Sequence, residues 1–225
     1  TMAIQEVEFR KNNSILYDEI VAHRLGLIPL KTDLKSYELP PADLPEGEYL
    51  AKSHLKLTLS AKGPKTVYAS EIKSEDPKVV PVYPKTPIVK LLEGQELEFE
   101  AIASLGTGKE HAKHSPAHVF FTNDYDVKVN NDSQHFDEFK SLYPEDVFKN
   151  GQIDSDLIKK NELADACEGV CEDIVKVEYK PDTYVFDIES WGQLDPKEIV
   201  LKAVELLKDT SDKFVKELNK LDKKK

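Results

Sequence analysis

From Pro196 onward the chain sets Val200, Ala203, Val204, Leu207, Phe214, Leu218 and Leu221 at i, i+3, i+4 and i+7 spacing. That is the repeat of one face of an α-helix. Asp195 suits the N-cap, Pro196 suits the first helical position, and Glu198 completes a capping-box-like pattern. A helix from Pro196 to Leu221 would run about 39 Å at about 1.5 Å per residue. Few small domains can cover that length, so part of the apolar stripe is expected to meet another chain. The closing DKKK is expected to be a solvated tail.

The chain ahead of this helix is mixed. Ile4, Val7 and Phe9 among Gln5, Glu6 and Glu8 indicate a strand of imperfect register. In NNSILYDEIVAHRLGLIPL, Asn12, Asn13 and Ser14 offer cap or turn oxygens, and Ile15, Leu16, Ile20, Leu25 and Leu27 follow at roughly helical spacing. Pro29 ends that helix, because proline disfavours helical geometry in the residue before it. Residues 33–50 carry three prolines and read as a surface loop. From His54 to about Val129 the texture is β. HLKLTLSA alternates strictly, with Leu55, Leu57 and Leu59 on one face, and TVYASEI, PIVKLL and ELEFEAIASL follow between turns. A further strand pair is expected around HVFFTNDYDVKVN, completing one compact β-rich domain. Residues 131–176 become acidic, with short helical patterns and both cysteines. DTYVFDIES then alternates with Tyr184, Phe186 and Ile188 facing one way, and Trp191 and Gly192 form a packed turn before the last helix.

Charge and composition exclude several classes. With 42 acids against 31 bases and a net charge of −11, the chain does not suit stand-alone nucleic-acid binding, which draws most of its affinity from Lys and Arg on phosphates. No apolar run approaches the ~20 residues of a membrane helix. TMAIQEVEF has neither the basic region nor the apolar core of a signal peptide, which makes the cytoplasm the default location. Two cysteines make no disulfide framework.

SLGTGKEHAKHSP, Ser104 to Pro116, has the look of chemistry. A phosphate-cradling loop needs G-x-x-x-x-G-K-[ST]. Here Ala103 stands where the first glycine belongs, and Glu110 replaces the metal-holding hydroxyl. His111, His114 and His118 could surround zinc, but no cysteine lies near and Glu110 precedes the pair instead of separating it. The plainer reading is a polar loop between strands that contacts a partner. Cys167 and Cys171 form C-x-x-x-C. On a helix both thiols would share a face, as buried free thiols, a redox-sensitive pair or a residual metal site. No nucleophile elbow or Cys/His pair is legible, and the many carboxylates single out no acid–base dyad.

NNSILYDEIVAHRLGLIPLKTD resembles the segment of the archaeal, D-type RNA polymerase subunits that leads from their dimerisation domain into their insert domain, and more loosely the eukaryotic counterparts and bacterial alpha. GPKTVYASEIKSEDPKVVPV, PIVKLLEGQELEFEA, LGTGKEHAKHSPA and YVFDIESWGQLDPKEIVLKAVELL follow in the family's order. The resemblance implies an α+β fold: an alpha-like dimerisation domain (1–27 and 177–225), a β-rich insert domain (28–130) and a ferredoxin-like remnant (131–176). It implies a non-catalytic scaffold that pairs with subunit L and docks subunits N and P and the two large catalytic subunits, without touching DNA. Val200, Val204, Leu207, Phe214 and Leu218 would meet subunit L, and Lys109, Glu110 and His111 would offer a polar contact from the insert domain.

Two departures from the family carry expectations. Relatives begin with a strand pair and a helix bearing an N-A-L-R-R-like motif, ahead of the point where this sequence starts. That half of the dimerisation domain is then truncated or supplied by another polypeptide, and pairing with subunit L is expected to need it. Some archaeal relatives also carry iron–sulfur cysteines. In this sequence Tyr143 stands where a cysteine is expected before Pro144, Asp165 replaces another ligand, and Cys167 and Cys171 are one residue off C-x-x-C. The subdomain is expected to persist without a cluster. The rival readings are a redox or metal-sensing module on Cys167 and Cys171, and a metal-dependent hydrolase on His111, His114 and His118.

Overall fold

The computed structural model describes residues 1–41, 44–45, 47–220 and the backbone of 221–222. The side chain of Leu221, parts of the 33–50 loop and most of the DKKK tail lie outside the described residues. The chain divides into two compact units, one of residues 1–118 with 188 onward, the other of Val119–Asp187.

The first unit is built on a four-stranded sheet. Strand β1 (Met2–Asn12) leads through helix α1 (Asp18–Gly26) to β2 (His54–Lys62), and β3 (Lys65–Tyr68), β4 (Lys73–Ser74), β5 (Pro87–Leu91) and β6 (Glu96–Leu105) follow. The sheet order is β1-β6-β2-β4, while β3 and β5 form a separate antiparallel pair. β6 is antiparallel to both neighbours, from Met2↔Leu105 to Asn12↔Leu97 on one side and from His54↔Ser104 to Lys62↔Glu96 on the other. Side chains alternate across such a sheet. Leu55, Leu57, Leu59, Leu97, Phe99, Ala101 and Ala103 are buried on one face, and α1, β3 and β5 close over them with Val21, Leu25, Val67, Ile88, Val89 and Leu91. The opposite face is charged. Glu100 pairs with Arg10 and Lys56, and Glu96 with Lys11 and Lys62. These exposed pairs fix cross-strand neighbours more than they add stability.

The imperfect register of β1 has a structural cause. The pairing slips between Ile4 and Glu6 and again between Phe9 and Lys11. A bulge adds one residue and re-phases the strand, so Ile4 and Val7 reach one core although they are three apart. The expected helix after Asn12 starts later, at Asp18. Asn12 instead folds a side-chain turn: Nδ2 donates to the Leu16 carbonyl at 2.9 Å and to Asp18 at 2.7 Å, and Oδ1 accepts from the Ser14 hydroxyl at 2.7 Å. The buried face of α1 is Val21 and Leu25, while Ile15, Ile20 and Leu27 point to solvent. Residues 1–12, placed by sequence with the dimerisation domain, are hydrogen-bonded into the sheet of β2 and β6.

The 106–116 loop locks β1 to the end of β6. The buried His114 ring uses both nitrogens, Nδ1 at 2.8 Å from the Thr1 carbonyl and Nε2 at 2.9 Å from the Gln5 amide nitrogen. A carbonyl only accepts and an amide nitrogen only donates, which assigns the proton to Nδ1 and a neutral ring. Lys113 Nζ donates to the Ile4 carbonyl at 2.9 Å and to Gln5 at 2.8 Å. Gly106 makes room for the ring, since a Cβ there would lie 2.5 Å from His114 Nε2. Burial lowers the pKa of His114 from its ordinary 6.5.

The second unit starts in β7 (Ala117–Val129), a single 13-residue strand where a strand pair was expected. Its partner is β10 (Val175–Ser190). Lys128 meets Glu178, Asp124 meets Lys180 and Phe121 meets Tyr184, so the partner number falls as the strand number rises and the two run antiparallel. Between them lie α2 (Phe136–Phe139), β8 (Phe148–Lys149), β9 (Gln152–Ile153), α3 (Ser155–Lys160) and α4 (Ala164–Cys167). They surround a small core of Tyr143, Val147, Ile153, Ile158, Cys167, Ile174 and Val175. Helix α5 (Pro196–Asp222) follows β10.

Two outcomes follow from the histidine lock. Gly106→Ala should lower unfolding free energy by about 1–3 kcal/mol, the usual cost of overpacking, and His114→Ala in the same background should recover part of it. With its folded pKa depressed, His114 binds fewer protons in the native than in the unfolded state, so stability rises with pH. Its contribution is complete above about 6.5 and is lost as pH falls through the depressed folded value. Urea unfolding from pH 7.5 down to 5.5 should show that loss alongside that of the partly buried Thr1 amine, whose pKa burial lowers to about 6, and His114→Gln should reduce it.

Candidate partner-binding surface

Helix α5 carries more apolar surface than its own chain covers. Ile199 is buried, whereas Val204, Leu207 and Phe214 are 61, 69 and 64% exposed, and Val200 and Leu218 are also exposed. At about 100° per residue, Ile199, Ala203 and Leu206 fall on one line, and they border a 530 Å³ recess with Leu34, Tyr37, Leu105 and Leu194. Val200, Val204, Leu207, Phe214 and Leu218 lie about 100° further round. The helix thus has two adjoining apolar lines: one that is buried at Ile199 and then edges the recess, and the wide one found by periodicity, which is exposed. Thr210 and Ser211 return their hydroxyls to the Leu206 and Leu207 carbonyls at 2.8 and 2.9 Å, so the middle of the helix needs no outside polar partner. Ile199 and Leu206 escaped the sequence reading because they fall beside its stripe, and only the body of the fold distinguishes the two lines.

A second bare apolar patch lies on the ribbon of β7 and β10. The Phe121 ring packs against Tyr184 at 5.8 Å and Phe186 at 5.6 Å between centroids, and all three rings are exposed. Tyr184 and Phe186 share a face as their alternation indicates. Phe121 joins them from a strand more than fifty residues away.

Lys109, Glu110 and His111 are exposed on the 106–116 loop. Two of them spend hydrogen bonds on the loop itself. Glu110 accepts from the Thr107 N–H at 2.9 Å, which holds its carboxyl below the ordinary range, and His111 Nδ1 accepts from the Lys113 N–H at 3.0 Å. With both nitrogens of His114 engaged, His111, His114 and His118 present no common metal site. Among the described residues, no group of three or more His, Cys, Asp or Glu is placed to hold a metal ion.

The cysteines do not share a helical face. Cys167 is the last residue of α4, the chain turns away through Gly169 at φ +77°, and Cys171 follows outside the helix. Cys167 is fully buried and its burial raises the thiol pKa. The Tyr143 phenol, buried beside both cysteines, donates to the Cys171 carbonyl at 3.3 Å and is pushed up to about 12, first by burial and then by the two cysteines. Asp165 accepts from the Tyr179 hydroxyl at 3.2 Å, which also reaches Glu168 at 3.0 Å.

Known proteins share this arrangement of sequence. The family model described as the RNA polymerase Rpb3/RpoA insert domain matches residues 7–122, a span that takes in most of β1 together with the sheet of β2 and β6. DNA-directed RNA polymerase subunit Rpo3 of Pyrococcus furiosus is 38% identical over 225 residues, covering 98% of this chain and 84% of the relative. The subunits Rpo3 of Methanosarcina acetivorans and Methanobrevibacter smithii are 35% and 33% identical, over 98% and 96% of this chain and 85% and 84% of theirs. With likeness at this level along nearly its whole length, and a sheet lying inside the matched insert domain, the chain belongs to the archaeal RNA polymerase subunit Rpo3 family, the D-type relatives of bacterial alpha.

Proposed function

We propose that this chain is a non-catalytic assembly subunit of an archaeal DNA-directed RNA polymerase. Its α5 stripe pairs with subunit L, and its remaining surface helps to dock subunits N and P and the two large catalytic subunits. The observation that carries this reading is the bare stripe on a helix already anchored at its other face by Ile199. Burying Val200, Val204, Leu207, Phe214 and Leu218 would contribute roughly 1.5–3 kcal/mol each, enough in sum to offset much of the cost of association. On the first unit, Lys109 and its loop neighbours would offer a further polar contact, and the exposed Phe121, Tyr184 and Phe186 rings would offer a separate apolar one on the second. The acidic charge of the chain suits a position away from the DNA.

The subdomain around Cys167 and Cys171 serves this role as a folded element without a cluster. An iron–sulfur cluster takes thiolates, commonly four. In this chain burial raises the pKa of the Cys167 thiol, Tyr143 packs against the pair, and Asp165 is held by Tyr179. These donors do not fit a cluster.

Val204→Asp or Leu207→Asp should leave the thermal midpoint of the isolated chain nearly unchanged, since both side chains already face water. Either should weaken incorporation into polymerase reconstituted from the cognate subunits by about a hundredfold; normal incorporation of both would refute the reading. The double variant Cys167→Ala, Cys171→Ala should assemble as the parent does. Anaerobic purification followed by iron and sulfide analysis should find no cluster, and a stoichiometric 3Fe or 4Fe cluster would overturn that part.

A further inference from the structure

We propose that the recess over Gln193 is a second docking pocket, which takes an apolar side chain and a neutral N–H donor from a partner polymerase subunit. The inference rests on the assembly reading above. It concerns a different surface, the turn between β10 and α5.

The turn is built rigidly. The Trp191 N–H donates to the Pro116 carbonyl at 3.0 Å and the Gly192 N–H to Ser190 Oγ at 2.9 Å. Ser190 Oγ donates on to the Leu194 carbonyl at 2.6 Å, and the Gln193 carbonyl accepts from the Thr32 N–H at 3.0 Å. Gly192 has φ +93°, and a Cβ there would come within 2.5 Å of Val82 Cγ1, so only glycine lets the turn seat this closely.

Large side chains on this frame remain uncovered. Leu27, Tyr83 and Trp191 border a recess of about 310 Å³ and are 54, 51 and 41% exposed. Gln193 lines the same recess, is only 6% exposed, and its Oε1 has no hydrogen-bond partner. The amide cannot be turned round to remove the problem, because its Nε2 faces the Ser115 carbonyl at 3.5 Å, where an oxygen would be repelled. That bond is at the long end of the range, which leaves the side chain able to swing toward an arriving donor. A buried polar atom without a partner costs about 1–3 kcal/mol, and native structures retain few of them.

The chemistry of the recess selects its occupant. The orphaned Gln193 oxygen is an acceptor buried behind the recess, so an arriving group that draws it out is a donor. Lys113 borders the recess, with its ammonium held by Ile4 and Gln5, and its positive charge disfavours a lysine or arginine. A backbone or indole N–H beside an apolar side chain satisfies both conditions. Trp and Tyr side chains are among those on which binding energy concentrates in protein interfaces.

The test uses reconstitution with the cognate polymerase subunits, each variant competing against the parent chain for incorporation. Gln193→Met removes the orphaned oxygen at similar volume. It should hold or raise the melting temperature of the isolated chain while cutting incorporation about tenfold. Trp191→Ala and Tyr83→Ala should also reduce incorporation, and they decide the matter if Gln193→Met fails to fold. Incorporation equal to the parent for the folded members of this set would overturn the inference. Val204→Asp, run alongside, separates the two readings: if it alone is excluded, the stripe stands and this pocket falls. If every variant incorporates normally, both fall.

Discussion

Strand β6 is hydrogen-bonded along both edges for nearly its whole length, and the rest of the first unit depends on that double pairing. It fixes the face on which Leu97, Phe99, Ala101 and Ala103 lie, and thereby the side of the sheet that α1 and the β3–β5 pair must cover. A one-residue slip would turn every one of these side chains outward. The two irregularities of β1 show the constraint at work, since the edge strand bulges to keep its apolar residues in phase with β6. The end of β6 then opens into the loop that returns His114 and Lys113 onto β1. A stretch that resembles a phosphate or metal loop spends its glycine, lysine and histidine on closing the sheet.

The same economy explains why α5 has two faces. A helix that docked its whole apolar arc on its own unit would leave nothing for a neighbour, and one with no inner contact would lack a fixed position. Ile199 supplies the inner contact near the N-terminal end. The outward stripe continues for several turns beyond it, on a helix whose own serine and threonine hydroxyls are internally satisfied. The helix is held at one end and offered along the rest.

Much of this was legible in the residues because its causes are local. Alternation located β2 and β6, the Asp195-Pro196 start located α5, and ordered blocks pointed to the family. What stayed hidden depends on partners distant in sequence. Nothing near Asn12 announces that its side chain will bridge Leu16 and Asp18 and delay α1. HVFFTNDYDVKVN reads as a hairpin until β10, far along the chain, takes its place as the partner. C-x-x-x-C spacing suggests one helical face only if the helix continues, and Gly169 ends that prospect. The unpartnered oxygen of Gln193 has no sequence signature, because it follows from what packs around the turn. The stripe on α5 was visible as a pattern, but periodicity alone could not divide its inner from its outer line.

The meeting of Pro116 with Trp191 has a consequence for the stretch between them. The chain departs and comes home at neighbouring points, 3.0 Å apart from N–H to carbonyl, along two strands that are hydrogen-bonded to each other. Residues 119 to 187 are therefore an insertion between two points of the chain that already meet. Lengthening or exchanging a segment whose ends already meet adds little chain entropy, because closure cost grows only slowly with length. Such a module can change its contents while the framework that carries it stays the same.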